Sequence, residues 1–169
     1  FTGIGLTGAA SGNYTLTSIT LSAVTITPKS LTMSGLSVPV SKVYDGTVNA
    51  QVIDNKTLQA QITAGTGIES DGKPFIGDVV SLNGTVVGTY NTKDVATATT
   101  VTYTGISLAG TGNGNYTLTT QTSSATITQK SLTMTGLSVP SSKIYDGTVT
   151  AIVNDLKALL GTQAAGSGS

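Results

Sequence analysis

The sequence contains no Cys, no His and no Trp, and its eight cationic side chains are all Lys, with no Arg among them. Without His or Cys the usual general base, the common thiol nucleophile and the preferred ligands of transition metals are missing, so most catalytic and metal-centre constellations are excluded. The absence of Arg removes the planar fork that grips phosphate and base edges. Only 9% of residues are charged, and eight Lys balance eight acidic groups to a net charge of zero. The Lys residues stand singly at 29, 42, 56, 73, 93, 130, 143 and 157. No basic stripe exists to release counterions from a nucleic acid, so that class of partner is set aside. Long hydrophobic runs are missing too: nothing approaches the roughly 18 consecutive apolar residues of a membrane-spanning helix. The chain opens at Phe1 with neither an initiator Met nor a signal-peptide pattern, which reads as a window onto a longer polypeptide.

What is present is Thr, about one residue in five, with abundant Gly, Ser and Asn. Thr fits a pleated, half-solvated strand, and Gly and Asn fit turns. The chain also repeats itself. KSLTMSGLSVP at Lys29 to Pro39 returns as KSLTMTGLSVP at Lys130 to Pro140, and KVYDGTV at Lys42 to Val48 returns as KIYDGTV at Lys143 to Val149, both at a spacing of 101. TGIGLTGAASGNYTL ending at Leu16 matches TGISLAGTGNGNYTL ending at Leu118 at a spacing of 102, with the extra residue placed between Leu21 and Ala23. A repeat of this length is the unit of an array.

Residues 28–128 then form one whole unit, residues 1–27 the end of a preceding one, and residues 129–169 the front of a following one. The two flanking pieces lack a counterpart for about Glu69 to Val101, so together they do not rebuild a unit. The native protein is expected to continue in both directions, with Gly161 to Ser169 a frayed, linker-like or partly engineered end.

Short alternating segments bounded by Gly, Asn and Asp predict an antiparallel β protein. Asn83-Gly84 between Val79–Leu82 and Val86–Tyr90 predicts a hairpin with a type I′ turn. Val101 and Tyr103, then Ile106 and Leu108, predict a further strand. Tyr116-Thr117-Leu118 predicts another after the turn at Gly112 to Asn115, and Ala125, Ile127, Leu132 and Met134 carry the alternation across the junction between units. Ile152, Leu156, Leu159 and Leu160 fall on a helical stripe, with a weaker match over Val52 to Ile62, so one short helix per unit is expected. The fold class is mainly β, tandem antiparallel units built as a sandwich or as a β-grasp-like sheet around that helix.

Four motifs stand in fixed order: K-x-Y-D-G-T at Lys42 to Thr47, G-D-V-V-S-L at Gly77 to Leu82, G-N-Y-T-L at Gly114 to Leu118 and A-T-I-T-x-K at Ala125 to Lys130. Together they resemble the YDG repeat of large bacterial secreted adhesins, the filamentous-haemagglutinin-like exoproteins, and are similar to the related MBG modules. The Asp54 to Lys73 stretch is enlarged relative to a minimal repeat of this kind. The resemblance implies a secreted protein at the bacterial cell surface, with neighbouring repeats of the same chain as its partners.

Tyr44, Asp45 and Gly46, with Tyr145, Asp146 and Gly147 in the next copy, are the candidate site residues, together with Asn115 and Tyr116 of the GNYTL motif. An acid and base pair for glycoside hydrolysis needs two carboxylates flanking one bond. The structural reading is preferred: Asp before Gly suits a turn whose carboxylate accepts backbone N–H groups, and each Tyr buries its ring. Asp45, Asp54, Asn55, Asp71 and Asp78 offer oxygens to calcium but lack the spacing of a known loop. A Lys to Asn amide cross-link and modification at the four Asn-x-Thr sequons carry little weight. The expected role is a stalk or spacer, with no enzyme activity, no cofactor, no metal and no membrane insertion. The alternatives are a self-assembling filament or surface-layer subunit pairing with copies of itself, or a module that binds a glycan or host surface, for which 5% aromatic content is poor material.

Overall fold

A computed structural model describes residues 4–17 and 23–166. The described chain is mainly β, and its helical content is two 3-10 turns, Ser11–Asn13 and Asn113–Asn115. No helix of the described residues is long and apolar enough to cross a membrane. The insertion expected between Leu21 and Ala23 falls outside the described residues, as do the last three residues of the tail.

The middle of the complete unit is one long antiparallel ribbon. Strands β6 (Ser81–Asn83) and β7 (Val87–Tyr90) run against β9 (Ser107–Ala109) and β8 (Thr100–Thr104), pairing Leu82 with Leu108 and Gly88 with Tyr103. Between the two halves the register slips by one residue, where Gly84 at φ +95° and Gly105 at φ +78° sit across the ribbon. A Cβ on either glycine would overlap a carbonyl oxygen of the opposite segment, so only Gly lets the two backbones approach there. The Asn83-Gly84 hairpin is therefore corrected. Asn83 has negative φ, its strand pairs 24 residues downstream with Ser107, and the ribbon actually turns over residues 91–99. There Asn91 closes the loop, its side-chain Oδ1 accepting the N–H groups of Thr99 and Thr100 at 3.0 and 3.2 Å.

β4 (Asn49–Ala50) and β11 (Thr122–Ser124) extend the ribbon to a four-stranded sheet in the order β11-β8-β7-β4. Alternation along β8 turns Val101 and Tyr103 inward and leaves the Thr residues outward. Tyr90, Ala98, Val101, Tyr103, Ala125 and Ile127 make the core, with Leu36, Val38, Tyr44 and Val52 packed on its rim. The buried rings keep their hydroxyls satisfied: Tyr103 donates to Ser123 Oγ at 2.8 Å and Tyr90 to the Thr126 carbonyl at 3.3 Å.

The two ends of the unit close on each other. β1 (Lys29–Leu31) lies parallel to β10 (Tyr116–Leu118), and β3 (Ser41–Val43) parallel to β12 (Thr126–Thr128). This corrects the expectation of a purely antiparallel arrangement. Parallel pairing requires a long connection, and here almost the whole unit serves as that connection. Leu31 becomes fully buried, and Gln121 donates its side-chain N–H to the Met33 carbonyl.

β2 (Met33–Ser37) pairs antiparallel with β5 (Ile53–Leu58), with a register shift between Ser34 and Leu36. The same pairing recurs 101 residues on, β13 (Met134–Ser138) with β14 (Asn154–Leu159). Both helices expected from the sequence are thus strands. The stripe through Ile152, Leu156 and Leu160 also has a period of 2 through Leu156, Ala158 and Leu160, and the strand reading wins for two reasons. Asp54 and Lys56 pair at 2.6 Å, as do Asp155 and Lys157, which puts residues two apart on one face as only a strand does. Gly35 at φ +86° and Gly136 at φ +87° each bring the partner backbone too close for any side chain.

The enlarged stretch after β5 is irregular but tied down. Ile62 and Phe75 form an isolated parallel bridge, and Asp71 gathers the Lys73 and Ile68 N–H groups while pairing with Lys29 at 2.8 Å. Lys29 also lies 4.4 Å from the centre of the Phe75 ring, so the loop is held to the first strand of the unit by charge and by cation–π attraction.

Candidate functional site

The YDG turn joins β3 to β4. Gly46 takes φ +80°, and the preceding carboxylate folds back to accept the Thr47 N–H and the Thr47 hydroxyl, each at 2.9 Å from Asp45 Oδ1. Tyr44 is half-buried on the rim of the core, with its N–H donated to the Thr128 carbonyl at 2.8 Å. Lys42 completes the turn, although its role was not drawn from the motif. Its ammonium meets Asp45 Oδ1 at 2.8 Å, the Thr47 carbonyl at 2.9 Å, Thr47 Oγ1 at 3.2 Å and the Asn49 carbonyl at 2.9 Å. The aliphatic stem is half-buried and the nitrogen lies 5.4 Å from the Tyr90 ring centre. The readable signal is the spacing K-x-x-D, which places cation and carboxylate at the two feet of a tight turn.

The charges explain what this group can do. The Lys42 hydrogen bond lowers the Asp45 pKa most; burial opposes it; the Thr47 N–H and hydroxyl lower it further, leaving the carboxyl at about 2. A carboxylate held that low is a weak proton acceptor at neutral pH, so the Thr-Asp-Lys set is a poor general-base machine. It is instead a cross-brace: one ammonium collects four oxygens from the turn and from the strand beyond it.

The second copy reproduces this geometry. Lys143 meets Asp146 Oδ1 at 2.8 Å, Thr148 Oγ1 at 3.0 Å and the Thr150 carbonyl at 2.8 Å, and Gly147 has φ +77°. Asp146 is lowered by the same causes, Lys143 first and then the Thr148 N–H. Tyr145, expected to bury its ring, is 91% exposed, because no core strands stand beside it.

The GNYTL motif works elsewhere in the unit. Asn115 ends a 3-10 turn by donating its N–H to the Gly112 carbonyl at 3.2 Å, and Tyr116 follows as a buried side chain. The Tyr116 hydroxyl donates to Asp78 Oδ2 at 2.5 Å and accepts the Phe75 N–H at 3.0 Å. Burial first, then the Asp78 carboxylate, raises the pKa of that hydroxyl, which keeps it a donor. Asp78 belongs to the GDVVSL motif, so two of the four motifs meet in one hydrogen bond across 38 residues of sequence. Sequence spacing carried no signal of that meeting.

The carboxylates once considered for calcium are apart and each is engaged: Asp45 with Lys42, Asp54 with Lys56, Asp71 with Lys29 and Asp78 with Tyr116. Among the described residues no three acidic groups gather as a metal site would require. Lys42 contacts the main-chain carbonyl of Asn49 and not its amide side chain.

These features define a β-rich domain whose recurring motifs brace turns and strand ends. The chain belongs to the YDG domain family, whose description matches residues 27–124, more than half of its length. No curated protein and no solved structure matches the sequence.

Proposed function

We propose that this chain is a structural spacer of an extracellular bacterial adhesin or surface fibre, in which β units follow one another and project a distal binding region from the cell. Repetition carries the reading. The bulged strand pair and the Lys-braced Asp-Gly turn are built twice, 101 residues apart, in the same register and with the same Lys to Asp distance of 2.8 Å, as the units of a tandem array are. The motif residues support a structural and non-catalytic role, since Lys42, Asp45, Asp78 and Tyr116 spend their hydrogen bonds on one another and on backbone. The partners are then the neighbouring repeats. Secretion to the cell surface is part of the same proposal, supported by the family resemblance and by a neutral, Thr-rich composition.

Small-angle scattering over a concentration series tests this. A compact chain of this length has a radius of gyration of roughly 15 Å. A clearly larger value that does not change with concentration supports the spacer, and a value at the compact limit overturns it.

One observation favours a second reading. Leu132 and Met134 are 72% and 57% exposed, although their counterparts Leu31 and Met33 are buried, and Tyr14 and Ile26 near the other end of the chain are exposed where Tyr116 and Ile127 are buried. Two copies pairing these surfaces would give a filament. A size that grows with concentration selects that reading.

A further inference from the structure

We propose that the YDG turn is also the joint between successive units: the turn of one unit receives an Ala-Gly turn of the unit that follows. The inference rests on the spacer reading, and it assigns the Asp-Gly pair a second task besides shaping its own loop.

Residues 161–166 do not behave as the frayed end expected from their composition. The Gly166 N–H donates to the Asp45 carbonyl at 2.8 Å. A Cβ built on Gly46 would stand 3.1 Å from Ala165 Cβ, and one built on Gly166 would stand 3.6 Å from Thr47 Cγ2, so the two turns face each other residue for residue. Lys130, at the start of the following copy, reaches Gln163 Oε1 at 2.9 Å. The cleft that takes in this contact is lined by Tyr44 and Val95 of the complete unit and by Leu132, Leu159 and Leu160 of the following copy. β12 ends at Thr128 and the following unit begins at Gln129, which leaves the joint little slack.

The segment is part of the repeat and not an appendage. Ala165-Gly166-Ser167-Gly168 stands 101 positions after Ala64-Gly65-Thr66-Gly67, and Gly65 and Gly166 share φ +78°. Each unit therefore carries an acceptor, the Asp carbonyl beside a Cβ-less Gly, and a donor, the amide of the left-handed Gly in its Ala-Gly turn. At one place in this chain the two meet. Ala64 and Gly65 are exposed, and a Cβ on Gly65 or on Gly147 would meet nothing within 4 Å, so among the described residues neither the Ala-Gly turn of the complete unit nor the YDG turn of the following copy faces a partner turn. A joint between two different surfaces, repeated by the same operation, is heterologous and adds unit after unit along the chain wherever that operation does not close on itself.

The absence of Cys makes the joint directly trappable in the full chain. Under mild oxidation the double variant Gly46→Cys/Ala165→Cys is expected to form an intramolecular disulfide in most molecules, since the two Cβ positions stand 3.1 Å apart and a shift of a few tenths of an ångström brings them to the usual disulfide spacing. The matched pair Gly147→Cys/Ala165→Cys is expected to stay reduced. Equal cross-linking of both pairs, or none in either, overturns the joint. Because Cys at Gly46 must adopt positive φ, a nitroxide on Ala165→Cys alone gives an independent readout. The Asp45, Gly46 and Thr47 amide resonances should broaden, and sharp signals there overturn the proposal. Failure of the joint is separable from failure of the spacer: a large particle without the cross-link removes only the joint, and a cross-linked but compact particle removes only the spacer.

Discussion

Residues 29–58 and residues 130–159 carry nearly the same sequence, and they build the same bulged strand pair and the same Lys-braced turn, yet one copy is packed and the other is not. Leu31 is fully buried and Leu132 is 72% exposed. Tyr44 rests on the core rim while Tyr145 stands in solvent. The difference lies in what stands beside them. The first copy has β10 and β12 zipped in parallel to β1 and β3, and it has the Tyr90, Val101 and Tyr103 face under it. The second has neither. Local contacts within about 30 residues therefore suffice to shape the strand pair and the turn, and contacts with distant segments, from Tyr90 through to β12, supply the burial. Small β units gain most of their stability from that second kind of contact.

The sharpest way to break this comparison is to truncate the matched leucines. Leu31→Ala should cost about 2–5 kcal/mol in chemical denaturation, the usual penalty for emptying a core leucine site. Leu132→Ala should stay within about 0.5 kcal/mol. An equal loss from both would mean that the second copy is packed as tightly as the first.

Substituting the bulge glycines should separate local from global effects. Gly35→Ala and Gly136→Ala each place a Cβ on a facing carbonyl at positive φ, so both should distort their own strand pair, visible as lost amide protection in β5 or β14. Only Gly35→Ala should lower the unfolding free energy of the packed unit, by about 1–3 kcal/mol.

Asp45 offers a smaller, pH-dependent effect. Its folded pKa of about 2 lies below the ordinary 3.8, so its contribution is fully present above about pH 4. That contribution declines as pH falls through 3.8 and is gone below about 2. Solvent reaches part of this pair, which limits the loss in Asp45→Ala to about 1 kcal/mol at neutral pH. The same substitution at Asp146 should leave the melting of the packed unit unchanged, and carboxyl titration by NMR should find both groups below the ordinary range. Tyr116→Phe removes the Asp78 contact and should cost about 1 kcal/mol, whereas Tyr14→Phe, in an exposed copy of the motif, should cost nothing measurable in the same melt.

How far the chain could be read from its letters follows the same division. The Asp-Gly turn and the start of β10 at Tyr116 were legible because each is set by residues a few positions apart, and the single strand expected through Val101 to Leu108 is strand in character but divided by Gly105 into β8 and β9. The two helices were misread because Leu156, Leu159 and Leu160 satisfy a helical stripe while the Asp155 and Lys157 pair, the better signal, satisfies a strand. Asn83-Gly84 was misread for a related reason: a glycine at positive φ serves a bulge inside a ribbon as well as a hairpin tip, and only the pairing partner tells them apart.

By itself the sequence determined the repeat and its spacing, the β character, the braced Lys-x-x-Asp-Gly-Thr turns and the family, because these depend on short-range sterics, on hydrogen bonds between near neighbours and on the order of motifs. Only the tertiary structure decided that Leu31 is core and Leu132 is surface, that Tyr116 finds Asp78 and that the ends of the unit pair in parallel. Those outcomes depend on which distant segment arrives alongside, and burial is a property of that arrival and not of the residue.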